Sequence, residues 1–196
     1  AGAADRDAHW AARPFKFSGA LDAEVSRAIM NIVVDSRSDA TPPPRIFDPC
    51  CGSGTNLWAA ACRGGSVAGS DRDATKADGC RRNLEHAGVA FDDIGVRDAS
   101  RDALPAASDA DCAVLNLPWG EKVRQTHGEN DRILANVAAH LRSGTPVACL
   151  ATDGGGRDWG RLGYEVERAA DVTPGTTKRG KASFDGAATC YLLRVR

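Results

Sequence analysis

Residues 46–55 read Ile-Phe-Asp-Pro-Cys-Cys-Gly-Ser-Gly-Thr. An apolar pair runs into an acid, a proline and two spaced glycines, and a helix-like stretch follows from Gly54 to Arg63. This is the form of a strand passing into a helix through a tight turn. Gly52 and Gly54 allow the turn and let a ligand approach the backbone. The helix start behind them offers free N–H groups. The next apolar run, Ser66 to Asp71, ends in an acid 17 residues beyond Gly54. In Rossmann-like sheets an acid at that place accepts hydrogen bonds from ribose hydroxyls.

The same alternation extends in both directions. Upstream, Asp22–Asp35 has a helical period, with Val25, Ile29, Ile32 and Val33 on one face and Asp22 as cap. Downstream, strands are predicted at Arg45–Pro49, Ser66–Asp71, Ile94–Ala99, Ala110–Leu115, Pro146–Thr152, Tyr164–Val172 and Ala187–Val195. Helices are predicted at Gly54–Arg63, Ala74–Ala87, Asn130–Leu141 and, briefly, Arg157–Leu162. This pattern predicts an α/β fold: a Rossmann-like, seven-stranded, mostly parallel sheet with helices on both faces. The last connection breaks the pattern. About 14 residues separate Val172 from Ala187, and they are polar and Gly-rich. They are too poor in helix formers for a crossover helix, so the final strand is expected to return antiparallel as a hairpin.

The 196 residues suit one domain, and the sequence divides into a tail over residues 1–14 and a domain over residues 15–196. No apolar run approaches a membrane span, and none has the form of a signal peptide. Net charge is −1, so any site for a polyanion must be a local patch. Seven cysteines, an odd number, form no C-x-x-C pair and no Cys/His zinc spacing. They read as small buried hydrophobes in a reducing compartment, and no bound metal is expected. His9, His86, His127 and His140 are scattered, and surface or capping roles are their default.

Three ligands compete for the 48–55 loop. A phosphate-binding P-loop needs G-x-x-x-x-G-K-[ST], which is absent. A dinucleotide fingerprint needs glycine at 57, where Leu57 stands. That lost glycine and the acid at Asp48 argue against a pyrophosphate. S-adenosylmethionine has a ribose and an adenine but no phosphate. A Gly-rich turn holding nothing is the plainest alternative. The joint pattern of Asp48, Gly52, Gly54, Asp71 and Asp98 weighs against it.

A second stretch bears on chemistry. Residues 111–120 read Asp-Cys-Ala-Val-Leu-Asn-Leu-Pro-Trp-Gly. A buried strand there delivers an amide, a rigid turn and a large ring to one sheet edge. An amine conjugated to a base is a poor nucleophile because its lone pair is delocalised. The Asn116 side-chain oxygen and the Leu117 carbonyl can each accept one of its N–H bonds, aiming the lone pair at a methyl donor. Pro118 would fix the turn, and Trp119 would stack on the base. A base in a helix would have to be flipped out or already unpaired. An Asn cap beside a buried Trp is the plain alternative.

With these residues in view, the chain resembles the class I S-adenosylmethionine-dependent methyltransferases. Within them it is most similar to the catalytic domain of the THUMP-associated RNA guanine-N2 methyltransferases. The likeness runs from about Phe15 to the C-terminus. It is carried by Lys16-Phe-Ser-Gly-Ala-Leu-Asp-Ala-Glu-Val25, by Asp48-Pro-Cys-Cys-Gly-Ser-Gly-Thr55 and by Asn116-Leu-Pro-Trp-Gly120. The last resembles the family's [DN]-P-P-[YFW]-G motif, with Leu117 in place of its first proline, as eukaryotic relatives often have. Family members grip RNA with a THUMP domain, which these 196 residues do not include.

The resemblance implies S-adenosylmethionine as cofactor, held by Ser18, Asp48, Cys50, Gly52, Gly54, Thr55, Asp71, Arg72, Asp98, Ala99 and Asn116. It implies catalysis by Asn116, Leu117, Pro118 and Trp119. The expected activity is methyl transfer to an exocyclic amine of RNA, guanine N2 of tRNA or another structured RNA first. One alternative is a DNA adenine-N6 or cytosine-N4 methyltransferase; another is a non-catalytic scaffold that keeps the cofactor pocket. Lys178, Arg179 and Lys181 form a small basic cluster in the last hairpin, beside Asn116 by topology. They are the candidates for phosphate contact with the substrate. Eukaryotic relatives imply a small zinc-containing activator subunit, for which the short edge strand Ile94–Ala99 is a candidate dock. The expected compartment is the cytoplasm or the nucleus.

Overall fold

The computed structural model describes residues 3–17, 19–38, 43–117, 128–151, 156–172 and 188–196. Its elements are α1 (Ala3–Ala11), α2 (Ala23–Asp35), β1 (Arg45–Asp48), α3 (Thr55–Cys62), β2 (Ser66–Asp71), α4 (Ala74–His86) and β3 (Ile94–Val96). They continue with β4 (Cys112–Asn116), α5 (Glu129–His140), β5 (Pro146–Ala151), β6 (Tyr164–Val172) and β7 (Ala188–Val195). The strands form one seven-stranded sheet in the order β3-β2-β1-β4-β5-β7-β6. β1 to β5 run parallel; β7 is antiparallel to both of its neighbours, β5 and β6. The predicted mostly parallel sheet with an antiparallel final strand is what is observed.

Apolar residues on the two sides of each buried strand feed two cores. Ile46, Cys112, Val114, Ala148 and Leu150 face α2, α3 and α4, where Met30, Val33, Leu57 and Leu84 complete one cluster. Phe47, Ala113, Leu115, Val147 and Cys149 face the other way, against Ile133, Leu134 and Val137 of α5. Strands buried on both faces are the normal consequence of helices on both sides of a parallel sheet. Among the described residues no helix is long and apolar enough to cross a membrane.

Four sequence expectations are corrected. Residues 3–11, read as part of a tail, form α1, and its Trp10 is 3 % exposed. Trp10 stacks on Trp58 of α3, with ring centroids 5.0 Å apart and planes 13° from parallel. Arg13 lies over Trp10 and Arg27 of α2 over Trp58, so two guanidinium groups flank the ring pair. In α2 the buried stripe is Ser26, Ile29, Met30 and Val33, while Ile32 is 42 % exposed. At 3.6 residues per turn, Ile32 lies to one side of that stripe.

Arg157–Leu162 is a run of turns, not a helix. Gly160 and Gly163 punctuate it, the latter at φ 92°, and Trp159 is drawn into the core against Tyr191, 4.6 Å between centroids. β3 stops at Val96 rather than Ala99. A local turn takes over there: the Asp98 N–H donates to Asp102, and the Asp98 carboxylate receives the Ser100 N–H and hydroxyl.

Candidate active site

The sheet order reverses at β1: β2 and β3 lie on one side, β4 and β5 on the other. Crevices at the carboxyl ends of strands, where the order reverses, are where α/β sheets bind ligands. Register sets the heights at this edge. Asp48, the last residue of β1, pairs with Gly69 of β2, so Asp71 stands two residues further on. On the other side Phe47 pairs with Ala113 of β4, so Asn116 also stands two residues beyond the level of Asp48. Asp71 and Asn116 therefore flank the 49–54 loop at one height. They sit two strand spacings apart, about 10 Å between backbones. Asp71 in turn pairs with Val96, which brings Asp98 and Ala99 out at the same edge.

The loop between them is shaped by glycine and by hydrogen bonds. Gly52 and Gly54 have φ of 54° and 86°, left-handed values that favour glycine. A Cβ on Gly54 would also lie 2.7 Å from the Cys80 sulfur. The Cys51 N–H donates to the Ser70 carbonyl at 2.8 Å, pinning the loop to β2. Asp71 accepts the Gly52 N–H at 3.0 Å on one oxygen and the Asp73 N–H at 2.9 Å on the other. An ionised carboxylate has about four acceptor positions, so Asp71 retains capacity for two hydroxyl groups. Gly54 caps α3 with no side chain, and the α3 amino end opens at the loop with Thr55 as its first residue.

Asp48 lies beneath the loop, 1 % exposed. It accepts the Cys50 N–H at 2.9 Å and the Asn56 side-chain N–H at 3.0 Å. Burial pushes its carboxyl up to about 7, reinforced by the charge of Asp71 and opposed by those two hydrogen bonds. Burial and the charges of Asp48 and Asp71 also push the Cys50 thiol well up. A hydrogen bond to Cys80, followed by burial, does the same to Cys51. Both thiols are therefore neutral, which removes them as nucleophiles. Burial alone would raise Asp98, but bonds from Ser100 and the charges of Arg101 and Arg72 hold it below the ordinary carboxylate range. The edge presents oriented acceptors and open backbone, equipment for holding and aiming a ligand.

Of the predicted residues, Asp48, Cys50, Gly52, Gly54, Thr55, Asp71, Arg72, Asp98, Ala99, Asn116 and Leu117 gather at this edge. Leu117 is buried, and its N–H donates to the Leu150 carbonyl at 3.2 Å, extending the β4–β5 ladder. Ser18, Pro118, Trp119, Lys178, Arg179 and Lys181 lie outside the described residues. In the described strands, Asn116, Leu150, Cys190 and Ala170 share one row, and the final rung of the β6–β7 pair is Val172 with Ala188.

Three residues at the site escaped the sequence reading. Glu129, 5 % exposed in the first turn of α5, pairs with Arg72 across the edge. Asn56 bonds Asp48, and Asn83 of α4 bonds the loop itself. The one available signal was a polar residue on the buried stripe of a helix, at Asn56 and again at Asn83 beside Leu84.

Residues 11–152 match the sequence profile described as UPF0020, RMKL-like, methyltransferase domain. The chain belongs to this methyltransferase-domain family. A tRNA (guanine(10)-N2)-dimethyltransferase of Methanothermobacter thermautotrophicus is 32 % identical over 143 residues, 71 % of this chain. The chain spans 40 % of that curated relative's length. Among solved structures, TrmN from Thermus thermophilus aligns with a TM-score of 0.69 at 22 % identity, covering 95 % of this chain and 52 % of that one. An RNA methyltransferase from Salinibacter ruber in complex with S-adenosyl-L-homocysteine aligns at 0.55 and 20 % identity, covering 88 % and 91 %. Both share the fold.

Proposed function

We propose that this domain transfers a methyl group from S-adenosylmethionine to an exocyclic amine of RNA, guanine N2 of tRNA first. One observation carries the reading: Asp71 and Asn116 stand at equal height on either side of the Gly52–Gly54 loop, in a methyltransferase-domain family. The residues fit the cofactor. Asp71 has acceptor positions left for the ribose hydroxyls, the loop presents backbone without Cβ, and Asp98 with Ala99 borders the next strand end. When bound, S-adenosylmethionine supplies a methyl group on a positively charged sulfur, open to attack by a neutral nitrogen.

The chain's own task is orientation. The Asn116 oxygen and the Leu117 carbonyl would accept the two N–H bonds of the amine and free its lone pair. The charge that develops on nitrogen would then meet fixed dipoles instead of reorganising water. No covalent intermediate is required, in keeping with neutral thiols at Cys50 and Cys51. Pro118 and Trp119 would complete the base pocket, and Lys178, Arg179 and Lys181 would meet phosphates. The aliphatic Leu117 in the Asn116-Leu-Pro-Trp119 motif, a form also found in eukaryotic relatives, is the ground for proposing a small zinc-containing activator as partner. β3, an edge strand joined among the described residues only to β2, would be the corresponding surface. On this proposal the enzyme works in the cytoplasm or the nucleus, where such RNA is found.

The test is incubation with S-adenosylmethionine and either unmodified tRNA or duplex DNA, followed by mass analysis of the nucleosides. N2-methylguanosine from tRNA is the expected product. Methylated adenine or cytosine from DNA alone would move the substrate to DNA. Cofactor binding without turnover on either would favour a scaffold.

A further inference from the structure

Residues 12–17 lead from α1 across the back of the cofactor loop, and one side chain fastens them there. Asn83 of α4 is fully buried. Its oxygen accepts the Phe15 N–H at 2.8 Å. Its amide nitrogen donates to the Phe15 carbonyl and to the Ser53 carbonyl, each at 2.9 Å. Three hydrogen bonds thus tie the strap to the centre of the Gly52–Gly54 turn through a single amide. The rings beside it are fitted as closely. A Cβ on Gly79 of α4 would lie 2.2 Å from the Phe15 ring, and a Cβ on Gly52 would lie 3.3 Å from Phe17. Lys76 of α4 sits over the outer side of Phe17, 5.2 Å from its centroid.

We propose that Asn83 is a positioning residue for the cofactor loop, and that the seating of the Phe15–Phe17 strap on α4 sets cofactor affinity. This rests on the S-adenosylmethionine reading of the site. Ser53 lies between the two left-handed glycines and next to Gly52, whose N–H donates to Asp71, so anchoring the Ser53 carbonyl helps hold the turn on which that bond depends. The acid that would hold the ribose is thereby coupled to the strap. The strap continues from α1, which is clamped by Trp10 on Trp58. Movement of α1 would therefore reach the loop through Phe15 and Asn83.

The proposal separates cofactor affinity from fold stability. Asn83→Ala removes all three hydrogen bonds and should weaken S-adenosylmethionine binding at least tenfold by calorimetry. Because it also empties a buried site, Gly79→Ala is the second variant. An alanine favours the helix at that position, while its methyl group displaces the Phe15 ring. Displacing the ring costs stability as overpacking does, so Tm should fall. Affinity, measured on fully folded protein well below that Tm, should still drop several-fold, whereas a merely structural role would leave the affinity of the folded protein unchanged. Unchanged affinity in a folded Asn83→Ala protein overturns the proposal; if that variant does not fold, unchanged affinity in Gly79→Ala overturns it. Failure of the unaltered domain to bind S-adenosylmethionine is a separate result, and it overturns the cofactor reading together with this inference.

Discussion

Asp48→Asn tests whether the floor of the site is held by a neutral carboxyl group. Asp48 is raised from its ordinary 3.8 to about 7, first by burial. Between those two values the folded chain keeps a proton that the unfolded chain has released. The sign follows: this group makes the fold less stable as pH rises through the window, with the full cost reached above the folded value. A gap of roughly 3 units at 1.36 kcal/mol each sets a ceiling of about 4 kcal/mol.

The amide keeps the shape of the carboxyl group and cannot ionise. It can still accept the Cys50 N–H. Its own N–H can face Asn56, whose side-chain oxygen is buried with no partner among the described residues. The stability difference between variant and unaltered protein should therefore be small at about pH 4. It should grow to between about 2 and about 4 kcal/mol in favour of the variant above pH 7. Urea unfolding followed by tryptophan fluorescence at a series of pH values reads this directly, since Trp10, Trp58 and Trp159 are all buried. A difference that does not change with pH refutes the reasoning, because the effect would then be packing alone.

Three further outcomes are expected. Asp71→Ala should weaken S-adenosylmethionine binding at least tenfold and leave the circular dichroism of the domain unaltered; calorimetry showing full affinity would remove Asp71 from the site. Asn116→Ala should lose nearly all turnover while still binding cofactor to some degree, and near wild-type methylation would sink the amine-orienting role. Trp10→Ala should cost about 3 kcal/mol of stability, typical of a buried aromatic residue. Chemical denaturation showing a loss below about 1 kcal/mol would mean that α1 adds little to the fold.

The sheet was readable because each strand is a short apolar run ending at a turn residue or an acid, and the order of helices between strands leaves few topologies. Its loops announced themselves where chemistry constrains them, at Gly52, Gly54 and Asp71. What escaped reading was decided by packing between distant segments. Trp10 looks like a stray aromatic residue until Trp58 is opposite it. Ile32 and Met30 compete for the core of α2, and a one-dimensional pattern cannot tell which the sheet will meet. Arg157–Leu162 has helix-compatible composition, but the core draws Trp159 inward and the glycines break the turn. Asn83 and Glu129 matter through partners 68 and 57 residues away, Phe15 and Arg72, and no local motif encodes such pairs.

β7 is the last strand in chain order, yet it occupies an interior place between β5 and β6. During synthesis β2 to β5 can pair as they emerge, because each has its neighbour already made. β6 cannot: its ladder partner, β7, leaves the ribosome after it. Until then the open side of β5 and the whole of β6 are bare strand surfaces, the kind that invite pairing with another chain. A stop codon a few residues before Ala188 would therefore cost two strand pairings at once, and the nascent domain depends on its final stretch to protect itself.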